Sequence, residues 1–182
     1  MTPYGQKALF PALLLSLAAV FSLSAQEKPG RLVSDLPLFK ALAGARLETG
    51  TLIPRIDAPP LDGSAKSFGQ PALGGLWFQI DGAAGYGPAK WGYRWMYRFR
   101  EQGEKKVIYA LSIDTMGQQL QFQGLYDEAA SKMELLAKLP DGGTSRALLI
   151  LNTDGTLTVD NVNTDPEGKD AVKYTATNRP DR

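Results

Sequence analysis

The chain has 182 residues, with 20 Lys and Arg against 19 Asp and Glu, 43% hydrophobic residues, and neither histidine nor cysteine. Those two absences exclude Ser-His-Asp and Cys-His catalysis, zinc sites of the usual ligand sets, His- or Cys-ligated haem, and disulfides; they leave carboxylates, Tyr, Lys, Ser and Thr as the available acids, bases and nucleophiles. Net charge close to zero gives no reason to expect nucleic acid or an anionic membrane as a partner.

At the N-terminus, Lys7 precedes an apolar run over residues 12–21, then the small residues Ser22, Ser24 and Ala25, then the polar Gln26-Glu27-Lys28-Pro29-Gly30. That order predicts a cleaved secretory signal peptide over residues 1–25 and an exported bacterial protein, periplasmic or extracellular. The apolar run is about half the roughly 20 residues of a spanning helix, and no second run follows, so no membrane span is expected in the mature protein. There is no cysteine near residue 25 to accept a lipid. Removing residues 1–25 takes away one lysine and no acid, which balances the charges, and leaves a single domain over 26–182 large enough to bury a core.

After the leader, Leu36, Leu38, Phe39 and Leu42 recur at helical spacing, with Asp35 as cap, Pro37 in the first turn and Gly44 as stop. Everything beyond reads at period two, in nine strands over 46–53, 75–80, 93–100, 106–113, 119–126, 132–139, 146–152, 157–163 and 172–177. The punctuation between them is turn chemistry, including Gln102-Gly103, Met116-Gly117, Asp141-Gly142-Gly143, Asp154-Gly155 and Asp165-Pro166-Glu167-Gly168. Short turns make an up-and-down meander the economical topology, and closing it into a barrel removes its edges. Two longer connections, the proline-rich 54–72 and the Gly/Ala-rich 81–92, read as surface loops or lids over a barrel mouth.

Residues 91–100 carry the strongest local pattern: every odd position is aromatic, from Trp91 through Tyr93, Trp95 and Tyr97 to Phe99, and the even positions include Arg94, Arg98 and Arg100. One face of this strand is wide and apolar, the other largely cationic. The aromatic face belongs either to the core, with the arginines in solvent, or to a ligand cavity with flat apolar walls. Val107, Tyr109, Leu111 and Ile113 are odd as well. Placing both sets on one face requires paired residue numbers to sum to an even number, which predicts a three- or five-residue connection or a bulge near Gln102-Gly103.

Other motifs fall to simpler readings. Residues 82–90 hold glycines and Lys90 but no Gly-Lys-Ser/Thr and no following helix, so they are no phosphate cradle. Residues 152–155 and 160–165 offer oxygen ligands at close spacing, yet fit no EF-hand loop and carry the default residues of β turns. Glu48, Asp114, Asp127 and Glu134 are the carboxylates a glycosidase pair would draw on, but spacing along different strands does not give the separation such a pair needs.

From Ile113 onward the order of features becomes specific: Ile113-Asp114-Thr115-Met116-Gly117, then Gly124-Leu125-Tyr126-Asp127-Glu128-Ala129, a Pro166-Glu167-Gly168-Lys169 turn and a final Tyr174-Thr175-Ala176. With Leu73-Gly74-Gly75-Leu76-Trp77 upstream, the chain resembles an uncharacterised bacterial domain-of-unknown-function family with a lipocalin-like, calycin barrel. The resemblance covers residues 36–177 and implies an all-β antiparallel barrel whose helix closes one end; it brings no established activity. Calycins usually place Gly-x-Trp at the first strand, where this chain has Gly44-Ala45-Arg46, which leaves Trp77 or Trp91 to plug the floor. The leading functional expectation is an exported binder of a small apolar or amphipathic molecule, its cavity lined by Trp77, Tyr93, Trp95, Tyr97, Phe99, Tyr109, Leu111, Phe122 and Tyr126, with no cofactor, metal or catalytic residue assigned. The alternatives are an envelope domain whose barrel is filled by its own side chains, and a carboxylate-based enzyme.

Overall fold

The computed structural model describes residues 31–181; the expected signal peptide lies outside the described residues. A single 3-10 turn, Val33–Asp35, leads into α1, Pro37–Leu42, with Leu36 as N-cap and proline at the first helical position. The Asp35 carboxylate accepts from the Leu32 amide at 3.2 Å and so caps the preceding turn rather than α1. Gly44, at φ +83°, ends the helical segment in the left-handed conformation that glycine adopts without strain.

Ten antiparallel strands follow: β1 Gly44–Ile53, β2 Leu61–Ala72, β3 Trp77–Tyr86, β4 Ala89–Gln102, β5 Lys105–Asp114, β6 Gln119–Asp127, β7 Lys132–Lys138, β8 Thr144–Leu151, β9 Leu157–Thr164 and β10 Asp170–Pro180. Each pairs with its neighbours in sequence, and β1 pairs with β10 to close the barrel. The fold is therefore the all-β, up-and-down, calycin-like barrel with a short N-terminal helix that the sequence predicts. No described helix is long and apolar enough to cross a membrane.

Two expectations are corrected. The connection expected over 54–72 is a loop only as far as Pro60; from Leu61 it is strand β2, and the loop expected over 81–92 is the paired ends of β3 and β4 around the Gly87-Pro88 turn. The expected register between β4 and β5 is also wrong. Gln102 pairs with Lys105 across the two-residue turn Gly103-Glu104, with Gly103 at φ +61°, so the paired numbers sum to an odd value. Tyr97 then faces Ala110 and Trp95 faces Ser112, while Tyr109 and Leu111 fall on the outer face. The physical reason is volume: bulky rings enter from β4, and β5 opposes them with its small residues.

The helical segment plugs the end of the barrel where β1 begins. Val33, Leu36, Leu38, Phe39 and Leu42 are all buried in one cluster with Phe78, Tyr97, Ile108, Phe122, Met133, Leu135 and Leu157. The Phe39 ring sits 5.3 Å from both Phe78 and Tyr97, in tilted and edge-on geometry, and takes the floor position expected of Trp77 or Trp91. Outside this plug, the guanidinium of Arg31 grips Glu128 with two hydrogen bonds of 2.6 and 2.8 Å, and Lys106 bonds the same carboxylate. The two cations, Arg31 foremost, hold the Glu128 carboxyl down to about 2.

Candidate functional site

Among the described residues no helix lies at the opposite end of the barrel. The β1–β2 loop, the β3–β4, β5–β6 and β7–β8 turns and the β9–β10 turn surround its mouth. Between the first and last of these connections lies an open cleft of about 480 Å³, lined by Arg55, Ile56, Asp57, Asp165 and Ala171.

Inward-facing side chains are buried throughout the helix half of the barrel and mixed toward the mouth, where Tyr86, Leu120, Ala137 and Ser145 are buried as well. Near the helix, Phe78, Tyr97, Phe99, Ile108, Phe122, Tyr126, Met133 and Leu135 are buried. Toward the mouth, Trp91, Tyr93, Trp95, Ser112, Asn161, Asn163 and Tyr174 point inward by register and yet keep part of their surface open to solvent. The inward side chains that keep some exposure therefore gather at this end of the barrel.

The aromatic walls lie flat because glycines receive them. A Cβ on Gly82 would meet the Tyr93 ring at 2.3 Å, and one on Gly63 would meet the Tyr86 ring at 2.6 Å. With hydrogen in those positions the rings rest on the backbone instead of projecting across the lumen. Tyr86 also stacks on Trp91, centroids 5.8 Å apart, and meets Tyr174 edge-on at 5.4 Å. Trp95 continues the wall downward, stacked on Tyr97 at 5.7 Å and tilted against Phe122 at 5.0 Å.

Among these rings runs a polar network that inverts the usual sidedness of a strand. On β1, Arg46 and Glu48 face the interior and are buried, while Ala45 and Thr49 face out. The Tyr174 hydroxyl donates to one oxygen of Glu48, the Asn178 amide donates to the other at 3.4 Å, and the Tyr86 and Tyr174 hydroxyls are 2.8 Å apart. Arg46 donates to the Asn178 side-chain oxygen at 2.7 Å and to its carbonyl at 3.2 Å, so one amide stands between the guanidinium and the carboxylate. Burial pushes the Glu48 carboxyl above its ordinary range, against the opposing effect of its two hydrogen bonds. Burial likewise raises Tyr174, with the neighbouring Glu48 charge adding to it, and raises Tyr93 and Tyr86. The Arg46 guanidinium is pulled down by its burial.

Of the nine residues expected to line a cavity, Tyr93, Trp95, Tyr97, Phe99, Phe122 and Tyr126 face the interior, and of these only Tyr93 and Trp95 keep part of their surface exposed. Trp77, Tyr109 and Leu111 do not line it. Trp77 packs on the outer face with the Arg98 guanidinium 5.9 Å from its ring centroid, and the Tyr109 hydroxyl accepts from Gln102 at 2.9 Å, also outside. The four carboxylates stay apart as well. Asp114 and Asp127 accept backbone amides in their turns, and Glu134 pairs with Arg146 and Lys132 on the outer surface. Sequence reasoning missed Tyr86, Tyr174, Arg46 and Asn178. The signal available was the pairing of Arg46 with Glu48 at period two, which places two charges on one face of the first strand.

No family model matches the chain, and no curated protein matches it. Among solved structures it is similar to the S-type phycobiliprotein lyase CpeS from Guillardia theta, with a TM-score of 0.60 and 8% identity, over 84% of this chain and 94% of that one. At that identity the likeness is one of fold, and it agrees with the calycin-like barrel built above.

Proposed function

We propose that this chain is an exported barrel that binds a small amphipathic molecule, taken up through the mouth opposite the helix. The observation that carries the reading is that the partly exposed inward aromatic and polar side chains gather toward the mouth, whereas the inward side chains beside the helix are buried. Trp91, Tyr93 and Trp95 supply flat apolar walls, and Ser112, Asn161, Asn163 and Tyr174 supply hydrogen-bonding groups, the combination of a few polar anchors on an apolar wall that small-molecule sites use. That a barrel of this fold serves as a phycobiliprotein lyase adds support at the level of architecture. Export rests on the Lys7, apolar-run and Ser22-to-Ala25 pattern; intact-mass measurement of protein recovered from culture should show loss of the first 24 or 25 residues, and retention of Met1 would refute it.

Binding is tested with an environment-sensitive apolar dye. Wild-type protein should bind it saturably, and Trp95→Ala, which removes one wall, should weaken binding by about tenfold, a loss of roughly 1.4 kcal/mol, while circular dichroism shows the barrel intact. A wild-type protein that binds no dye refutes the reading in favour of a domain filled by its own side chains.

A further inference from the structure

Among the described residues Glu48 stands out as a buried carboxylate without a cation. Its side chain is accounted for by Tyr174 and Asn178, and no Lys or Arg nitrogen lies within 4.0 Å of it among the described residues. Arg46 is the nearest inward cation along β1, and its Nε and Nη2 groups bond Asn178 rather than Glu48. Taking a carboxylate out of water without an ion pair is costly; the cost is relieved either by a proton or by a cation arriving from outside.

The surroundings favour the second. Trp91, Tyr86, Tyr93 and Tyr174 form one packed group at the mouth end with Leu52, Leu61, Ala65 and Ala84. Aromatic faces attract cations, tryptophan most strongly, and the attraction grows where water is excluded. Asp114 faces Tyr93 across the β4–β5 pair at the rim, so the entrance adds negative charge. An anionic ligand would meet Glu48 and Asp114 with Arg46 already engaged, and a neutral one would leave the carboxylate uncompensated.

Resting on the small-molecule reading, we infer that the mouth half of the barrel selects an organic cation, an ammonium group carried on an apolar body, with the aromatic box of Trp91, Tyr93 and Tyr174 around it and Glu48 as its counter-charge. The apolar body lies toward Trp95, where the wall becomes continuous with the core. Glu48 is thus a binding residue and Asn178 a positioning residue, holding Arg46 off the carboxylate.

The test compares three probes with one alkyl chain, decylammonium, decanol and decanoate, by calorimetric titration at neutral pH below micelle-forming concentrations. Wild-type protein should bind decylammonium at least about tenfold more tightly than decanol, and decanoate most weakly. Glu48→Gln, whose oxygen can still accept from Asn178 while its NH2 donates to a turned Tyr174 hydroxyl, should abolish the difference between decylammonium and decanol, and Trp91→Leu should reduce it. Equal binding of the three by wild-type protein overturns the cation preference while leaving the small-molecule site standing, and needs no variant to read. Binding of none overturns the site itself, and the preference with it. A preference that survives Glu48→Gln overturns the role of Glu48.

Discussion

Truncation of Phe39 to alanine should cost the barrel much stability and little binding, and truncation of Trp91 the reverse. Phe39 has no exposed surface, and its ring meets both Phe78 and Tyr97 at 5.3 Å. Deleting a wholly buried ring costs about 3–5 kcal/mol, of which each aromatic contact accounts for roughly 0.5–1.5 kcal/mol. Against a total stability of about 5–15 kcal/mol this is a large share. With a urea slope of about 2 kcal/mol per molar, the unfolding midpoint falls by about 2 M. Trp91 is only half-buried and has Tyr86 as its stacking partner, so its removal should cost less than about 2 kcal/mol. Urea titrations followed by circular dichroism give the two midpoints, and dye titrations under native conditions give the two affinities. If Trp91→Ala costs as much as Phe39→Ala, or if Phe39→Ala abolishes dye binding in protein that is still folded, the contrast between a packed helix end and a partly exposed mouth is refuted.

The Arg31 and Lys106 contacts lower Glu128 to about 2 in the folded state against 4.5 for the free group, so their stabilisation is present above the ordinary carboxylate range and lost as pH falls toward 2. The difference in unfolding midpoint between wild type and Glu128→Gln should shrink over that window; a difference independent of pH contradicts it. Glu48 has the opposite sign. Its folded-state carboxyl holds the proton more tightly than the unfolded one, so its contribution to stability falls as pH rises through and above the ordinary carboxylate range. Glu48→Gln should therefore gain on wild type from acidic to neutral pH in the same denaturation assay, and a constant gap would count against the burial argument. Gly82→Ala forces the end of the Tyr93 ring off the wall; because a side chain can swing, the expected stability loss is below about 1 kcal/mol, whereas dye binding falls as the ring enters the lumen. Unchanged dye affinity in this variant would show that Tyr93 does not border the site.

The barrel was legible because most of its strands alternate cleanly and end in Gly-containing turns. Strand β2 was not, since its inward positions are Leu61, Gly63, Ala65, Ser67 and Gly69. Small residues are what the Tyr86 ring and the end of α1 require there, and they erase the hydrophobic alternation by which a strand is recognised. Register failed at β5 for a related reason. Val107, Ile108, Tyr109, Ala110, Leu111 and Ile113 make a nearly continuous apolar run, so period two does not choose a face, and the choice falls to the volumes of Trp95 and Tyr97 across the pair. The polar network escaped notice because charges on a strand are normally assigned to solvent. Only closure of β1 onto β10, which brings Tyr174 and Asn178 beside Glu48, shows them facing inward.

The three tryptophans offer the most direct test that the ligand enters the mouth half of the barrel. Trp91 and Trp95 face the barrel interior and are partly exposed, and Trp77 sits outside with Arg98. Their indole N–H resonances, assigned by single substitutions, can be followed while decylammonium is added to isotopically labelled protein. Ligand entry at the mouth should give saturable shifts of the Trp91 and Trp95 signals with Trp77 unmoved; shifts confined to Trp77 would contradict it.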